Sequence, residues 1–244
     1  MRKLVLFFMF CAVCASCSTT PEYKDNKGRD IYCPMDQLPD LVKCLPSPPE
    51  EGSLAFEYDK ARYEWGKTMR GDSLRAAMAA RDAQWQFDTL VAIFSDPFGH
   101  KISSEATPQI YKLASWGLNS IRAIRVQPKA YYKRIRPFMY FNEHMFTSWE
   151  EEELRDNGSY PSGHTISGWG LALLLAEINP DAAEAIFARA WAYGESRVIV
   201  GAHWQSDVGA SRPAASIAYS YLQNSSHFRR QMAKAKREFK RICK

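Results

Sequence analysis

From Ser53 onward, apolar residues recur at spacings of three and four, and β-branched runs that alternate with polar residues are few. That period belongs to helices with one buried face, so it restricts the chain to an all-α architecture. Ser53 is placed to cap a helix carrying Phe56, Tyr63 and Trp65, and Ser73 a second one with Leu74, Met78, Trp85, Leu90, Val91 and Phe94, broken at Asp96-Pro-Phe-Gly99. Thr107-Pro108 reads as a cap followed by proline at the first helical position, opening a helix through Leu113, Trp116 and Ile121. Further helices are expected over 170–178, 182–193, 214–222 and 228–242. These predict one all-α domain over residues 53–244 with roughly seven to nine helices, whose many Trp and Tyr side chains serve as core.

Ahead of the domain, Pro21, Pro34, Pro39, Pro46, Pro48 and Pro49 crowd the stretch from Ser18 to Ser53. No helical or strand period survives that density of proline, so residues 17–52 are expected to be an extended, partly disordered lead-in that ends by lying on the domain surface. Met1-Arg-Lys followed by the apolar run from Leu4 to Ala15 has the form of a secretory signal over residues 1–16. Twelve residues is short for a membrane span, and none follows. The expected destination is therefore periplasmic or secreted. Cleavage is expected either after Ala15 or before Cys17 with lipid added to that thiol, the one membrane attachment foreseen. Beyond Cys17 there remain Cys33, Cys44 and Cys243, enough for one disulfide and a spare thiol, with the pairing open.

A chain of 244 residues, 46% hydrophobic and 24% charged, suits one globular domain with a sizeable core or two small ones. Its net charge of +5 falls to +3 once Arg2 and Lys3 leave with the signal, too little to argue for nucleic acid.

Three segments carry the chemistry. Ser196 to Asp207 sets Arg197, His203 and Asp207 in one short stretch; if the chain is helical from His203, the four-residue spacing lets Asp207 hold one imidazole N–H and leaves the other ring nitrogen nucleophilic. His-x3-Asp also suits two metal ligands, but no second ligand cluster is present, so no metal and no cofactor are expected. Between Gln127 and Pro137, Lys129 and Arg136 are seven apart, nearly two helical turns, and would share a face suited to an oxyanion, with Lys133 and Arg134 free to point elsewhere. Gly158-Ser-Tyr-Pro-Ser-Gly-His-Thr165 then puts Ser162 and Gly163 at a helix N-terminus, whose N–H groups favour a phosphate, with His164 beside it. Asn157-Gly-Ser159 matches a glycosylation acceptor but is explained as a turn. Cations, N–H donors, a nucleophile and an acid are what phosphoryl transfer needs.

Lys129-x6-Arg136-Pro137, Pro161-Ser-Gly-His164 and Ser196-Arg197-x5-His203-x3-Asp207 together resemble the three-part signature of the type 2 phosphatidic acid phosphatase and vanadium haloperoxidase superfamily. Within it, the flanking residues are similar to the secreted bacterial class A non-specific acid phosphatases, over about Leu45 to Cys243. The resemblance implies His203 as a nucleophile forming a phosphohistidine, Asp207 as its orienting carboxylate and His164 as the general acid. Lys129, Arg136 and Arg197 would bind phosphate with Ser162 and Gly163. It further implies the helical haloperoxidase-like core, homo-oligomers, small organic phosphates as partners, broad hydrolysis of phosphomonoesters and phosphotransfer to alcohols as a side activity. The chain departs from the pattern at Ala202, where an aromatic is usual, and at Gly209, where an acid often stands. A vanadate-dependent haloperoxidase is the alternative enzyme reading. A phosphate-capturing binding protein is the non-enzymatic one, but it gives no reason for the spacing of His203 and Asp207.

Overall fold

The computed structural model describes residues 23–243; the signal, its cleavage site and Cys17 lie outside the described residues. The chain opens with a two-residue antiparallel pair, β1 (Tyr23–Lys24) and β2 (Asp30–Ile31), in the register Tyr23 opposite Ile31. Helices follow: α1 (Leu41–Cys44), α2 (Leu54–Thr68), α3 (Ser73–Ala83), α4 (Phe87–Phe98), α5 (Pro108–Ala123), α6 (Val126–Tyr132), α7 (Pro137–Tyr140), α8 (Glu151–Arg155), α9 (Gly163–Ile178), α10 (Ala183–Ile199), α11 (Gln205–Leu222) and α12 (Ser226–Ile242). Among the described residues eight helices reach eleven residues or more, and the domain is all-α as the apolar period requires.

Helix α9 is the centre, packed against α5, α10 and α11. It is apolar on every side, and Ile166, Leu171, Leu174 and Leu175 are fully buried. A helix with no polar face has to be covered all round, and each such side chain contributes about 1.5–3 kcal/mol on leaving water. Gly168 permits the close crossing with α10, since a Cβ there would stand 2.5 Å from the Tyr193 ring.

Local signals account for most helix ends. Ser53 accepts the Phe56 N–H at 3.2 Å and so caps α2 as expected. Asp72, and not Ser73, caps α3, accepting from Leu74 and Arg75. The single helix expected from Ser73 to Phe94 is two, because Gln84 and Gln86 are extended. No proline or glycine marks that break, and its result is that Trp85 faces a cavity. At the other end, α4 runs through Pro97 and stops at Gly99 in the left-handed region.

Residues 23–45 depart from the expected surface strap. Ile31, Tyr32, Leu41 and Leu45 are buried, the Tyr32 N–H donates to Ser120 Oγ at 2.8 Å, and its ring meets Phe228 edge-on at 5.5 Å. The prolines keep the elements here short, and the stretch still forms β1, β2 and α1, because a proline ends a regular element without preventing one between prolines or the burial of its neighbours. Cys33, Cys44 and Cys243 are all unpaired, and Cys33 is buried. None of the described helices is long and apolar enough to cross a membrane.

Candidate active site

Helix α10 ends at Ile199, and Gly201, with φ of +87°, turns the chain sharply back. The N–H groups of Ala202 and His203 both donate to Arg197 O, at 3.0 and 3.2 Å, which ties the cation and the imidazole into one turn. Helix α11 begins only at Gln205, so His203 and Asp207 are not two residues of one helical face. They meet because Asp207 folds back on the helix start. Its Oδ2 accepts from the Trp204 N–H at 2.9 Å, with His203 Nδ1 at 3.4 Å.

Asp207 is fully buried, and two further groups hold it. Ser159 Oγ donates to Oδ2 at 2.5 Å and lies 3.3 Å from His203 Nδ1; Arg134 Nη1 donates to Oδ1 at 2.6 Å. The other arm of Arg134 donates to Asp59 at 2.7 Å, and Asp59 accepts in turn from the N–H and hydroxyl of Ser206. Arg134 thus joins α2 to the start of α11 through two buried carboxylates, away from the cavity that Lys129 and Arg136 line. The signal for this network was Asp59 itself, a carboxylate on the buried face of α2 between Phe56 and Tyr63.

Lys129 and Arg136 also converge, but not as two turns of one helix. Helix α6 stops at Tyr132, and Lys133 is left-handed with φ of +44°. The chain then runs extended so that Arg136 returns from outside the helix. Its Nε donates to Leu154 O and Asn157 O, and its Nη1 donates to Ala202 O at 2.9 Å and lies 3.1 Å from His203 Nε2. Lys129 Nζ donates to Gly158 O. Gly158 is needed for that approach, because a Cβ would meet Lys129 O at 2.7 Å.

Ser162 is the N-cap of α9, its Oγ accepting from the N–H of Thr165 at 3.3 Å, which places Gly163 in the first helical turn as expected. Lys129, Arg136, Gly163, His164 and His203 line one cavity of about 260 Å³. Ser162, Arg197 and Asp207 stand behind that wall, all three buried. Arg197 donates from both Nη atoms to Glu150, at 2.9 and 3.2 Å, and Glu150 lines the cavity. Sequence reasoning missed Glu150, Ser159, Arg134 and two more cavity cations, Arg122 and Arg125.

Burial and the surrounding cations act together on the titratable groups. His203 is pushed well below the ordinary imidazole range, first by burial and then by Arg136, Lys129 and Arg197. His164 is pushed down by burial, then Arg197 and His203. Lys129 falls well below its usual value through burial and Arg136, and Arg136 falls to about 10, chiefly through burial. Burial and the cations favour the neutral form of His203, and its partners assign the proton to Nδ1, facing Asp207 and Ser159, and the lone pair to Nε2 on the cavity side.

A helical domain whose cavity collects cations around a neutral imidazole braced by a buried carboxylate is, as a class, an all-α protein built to handle anions. The model of the PAP2 superfamily matches residues 113–231. A non-specific acid phosphatase of Providencia stuartii is 38% identical over the full length of both chains. One of Salmonella typhimurium is 39% identical over 80% of this chain and 78% of its own, and an acid phosphatase of Zymomonas mobilis is 33% identical over 83% and 76%. The chain belongs to the PAP2 superfamily, where it groups with the bacterial non-specific acid phosphatases.

Proposed function

We propose that this acid phosphatase hydrolyses a broad range of phosphomonoesters outside the cytoplasm through a phosphohistidine on His203. The observation that carries the reading is the orientation of that ring: Nδ1 is backed by Asp207 and Ser159, and Nε2 faces the cavity beside Arg136.

In the first step Nε2 attacks phosphorus as the bond to the ester oxygen breaks, and His164 supplies the proton that the leaving alkoxide takes. Asp207 steadies the positive charge that develops on the ring. In the second step water attacks the phosphohistidine, giving its proton to His164, and His203 returns neutral. An alcohol in place of water gives phosphotransfer. Lys129, Arg136 and Arg197 hold the phosphoryl oxygens with the α9 N-terminus at Ser162 and Gly163, an arrangement that supplies positive charge from side chains. Bound phosphate takes over the Arg136 Nη1 hydrogen bond that Nε2 now accepts, which frees the Nε2 lone pair for attack.

The dianion also resets the protonation states. Its charge raises His164 and Lys129 back toward their ordinary values, so the acid form of His164 is made by the substrate it serves.

The reading is tested by turnover of p-nitrophenyl phosphate in chelator, with a rapid alkaline detergent quench to trap label on the protein. An acid-labile, base-stable phosphoryl group, present in the wild type and absent from His203→Ala, is expected. A chelator-sensitive rate restored by a divalent ion, or label retained by His203→Ala, overturns it.

A further inference from the structure

Two further cations line the cavity, and they differ in place: Arg125 packs against Gly163 at the phosphate end, its Nε 3.0 Å from where a Cβ of Gly163 would stand, whereas Arg122 stands with Trp85. Lys129, Arg136 and Arg197 are each anchored, on Gly158 O, on backbone carbonyls and on Glu150. Arg122 and Arg125 line the same cavity, and among the described residues neither is paired with a carboxylate. Arg125 Nη1 donates to Arg122 O at 2.8 Å, and the buried Arg122 Nε has no hydrogen-bond partner among the described residues.

Their place relative to the acid is set by one aromatic ring. The Arg122 guanidinium lies 3.7 Å from the centre of the Trp85 ring, and Trp85 meets the His164 ring edge-on at 4.7 Å. A leaving group that takes its proton from His164 therefore emerges beside Trp85 and toward Arg122. Trp85, Gln86 and Arg122 also line an adjoining cavity of about 450 Å³ that includes Leu90 and Trp116, which gives the rest of an alcohol somewhere to go.

The charge there is only partly compensated. Beyond burial, Arg122 is pushed down by Arg125 and Arg29, and Arg125 by Arg29, with only Asp25 acting in the opposite direction on both apart from Tyr193 on Arg122. Buried cations without a counter-charge are costly, and an oxyanion delivered by a ligand relieves that cost.

Building on the proposed reaction, the geometry points to a second anion subsite at Arg122 that reads the leaving group, so that phosphomonoesters whose alcohol carries another oxyanion, a carboxylate or a second phosphate, are preferred. The ligand class is small dianionic or bisphosphorylated alcohols. The first phosphate is transferred at His203, and the second group docks on the guanidinium over Trp85.

The test compares matched substrates on the purified full chain: 3-phosphoglycerate against glycerol 3-phosphate, and propane-1,3-diol bisphosphate against 3-hydroxypropyl phosphate. The wild type is expected to favour the charged member of at least one pair in kcat/KM by roughly tenfold at low salt, the scale of one charge-assisted hydrogen bond. Which pair shows the preference identifies the oxyanion. Arg122→Gln is expected to abolish the preference while the uncharged member changes by no more than about threefold, Arg122→Lys to keep part of it, and thermal melting to report that each variant folds. Equal kcat/KM within both pairs in the wild type, or equal losses on both members in folded Arg122→Gln, overturns the subsite. Failure of the wild type to turn over any of the four esters would instead refute the phosphomonoesterase reading.

Discussion

Arg197 and Glu150 close a two-point fork, Nη2 to Oε1 at 2.9 Å and Nη1 to Oε2 at 3.2 Å, with the Arg197 side chain fully buried and its Nε without a partner. The carboxylate is itself held by Thr147 Oγ1 at 2.7 Å. A planar guanidinium binds two oxygens of a carboxylate much as it binds two of a phosphate, so Glu150 occupies donors that a substrate phosphate would use.

Replacing Glu150 by Gln should therefore tighten inorganic phosphate binding, measured as its inhibition constant, by roughly tenfold. The same change leaves Arg197 buried and unpaired, so the melting temperature of the free protein should fall and phosphate should restore it. Weaker phosphate binding by Glu150→Gln would show that the fork is not a phosphate site.

The two histidines should fail differently. His203→Ala removes the atom that attacks, so turnover should fall by several orders of magnitude on every ester. His164→Ala loses only a proton donor, a role of about 10² to 10⁴ in rate. Its loss should be much smaller for a nitrophenolate, which leaves without a proton, than for an alkyl phosphate. Equal losses for both leaving groups would contradict the assignment of His164.

Arg134 is the support whose removal strands two acids. Arg134→Gln leaves the buried carboxylates of Asp59 and Asp207 without their shared cation, a change expected to cost on the order of 3 kcal/mol of stability. Urea unfolding would measure it. Arg134→Lys should recover little of it, because one ammonium cannot match the two arms that the guanidinium extends to separate carboxylates. A loss below about 0.5 kcal/mol would mean that the bridge carries no structural load.

The pH dependence of stability follows from the two lowered imidazoles. Unfolded histidines protonate near pH 6.5, whereas the folded ones resist it, so the unfolded state binds more protons as the pH drops below that value. Stability of the phosphate-free protein should thus be fully present above about pH 6.5 and decline on acidification, by up to about 1.4 kcal/mol per pH unit for each histidine. Vanadate or phosphate should flatten the decline by restoring a negative charge to the site. Thermal melts between neutral and mildly acid pH, with and without vanadate, would check both; a stability that rises on acidification would show that burial does not govern these rings.

The residue pattern by itself determined the class of fold and named part of the candidate site. An apolar stripe at helical spacing can be buried only against other helices, and the Ser162-Gly163 start of α9 is a local capping event that the sequence states outright. The cations and imidazoles were legible because Lys129-x6-Arg136-Pro137, Pro161-Ser-Gly-His164 and Ser196-Arg197-x5-His203-x3-Asp207 set them out at recognisable spacings. Asp59, on the apolar stripe of α2, was an unread sign of another kind.

Tertiary structure alone decided how those groups meet. Lys129 and Arg136 converge through a helix end and an extended return, not through two turns of one helix, and Asp207 reaches His203 by folding back on the start of α11. The break at Gln84 that aims Trp85 into the cavity has no local signal, and neither does the pairing of Glu150 with Arg197 or the exposure of Arg122 and Arg125 to the same space. Sequence spacing limits contacts only within one regular element. Where the chain leaves the helix, the partner of a buried charge is chosen by what the packed core brings within hydrogen-bond reach, since the cost of leaving that charge unpaired exceeds any local preference.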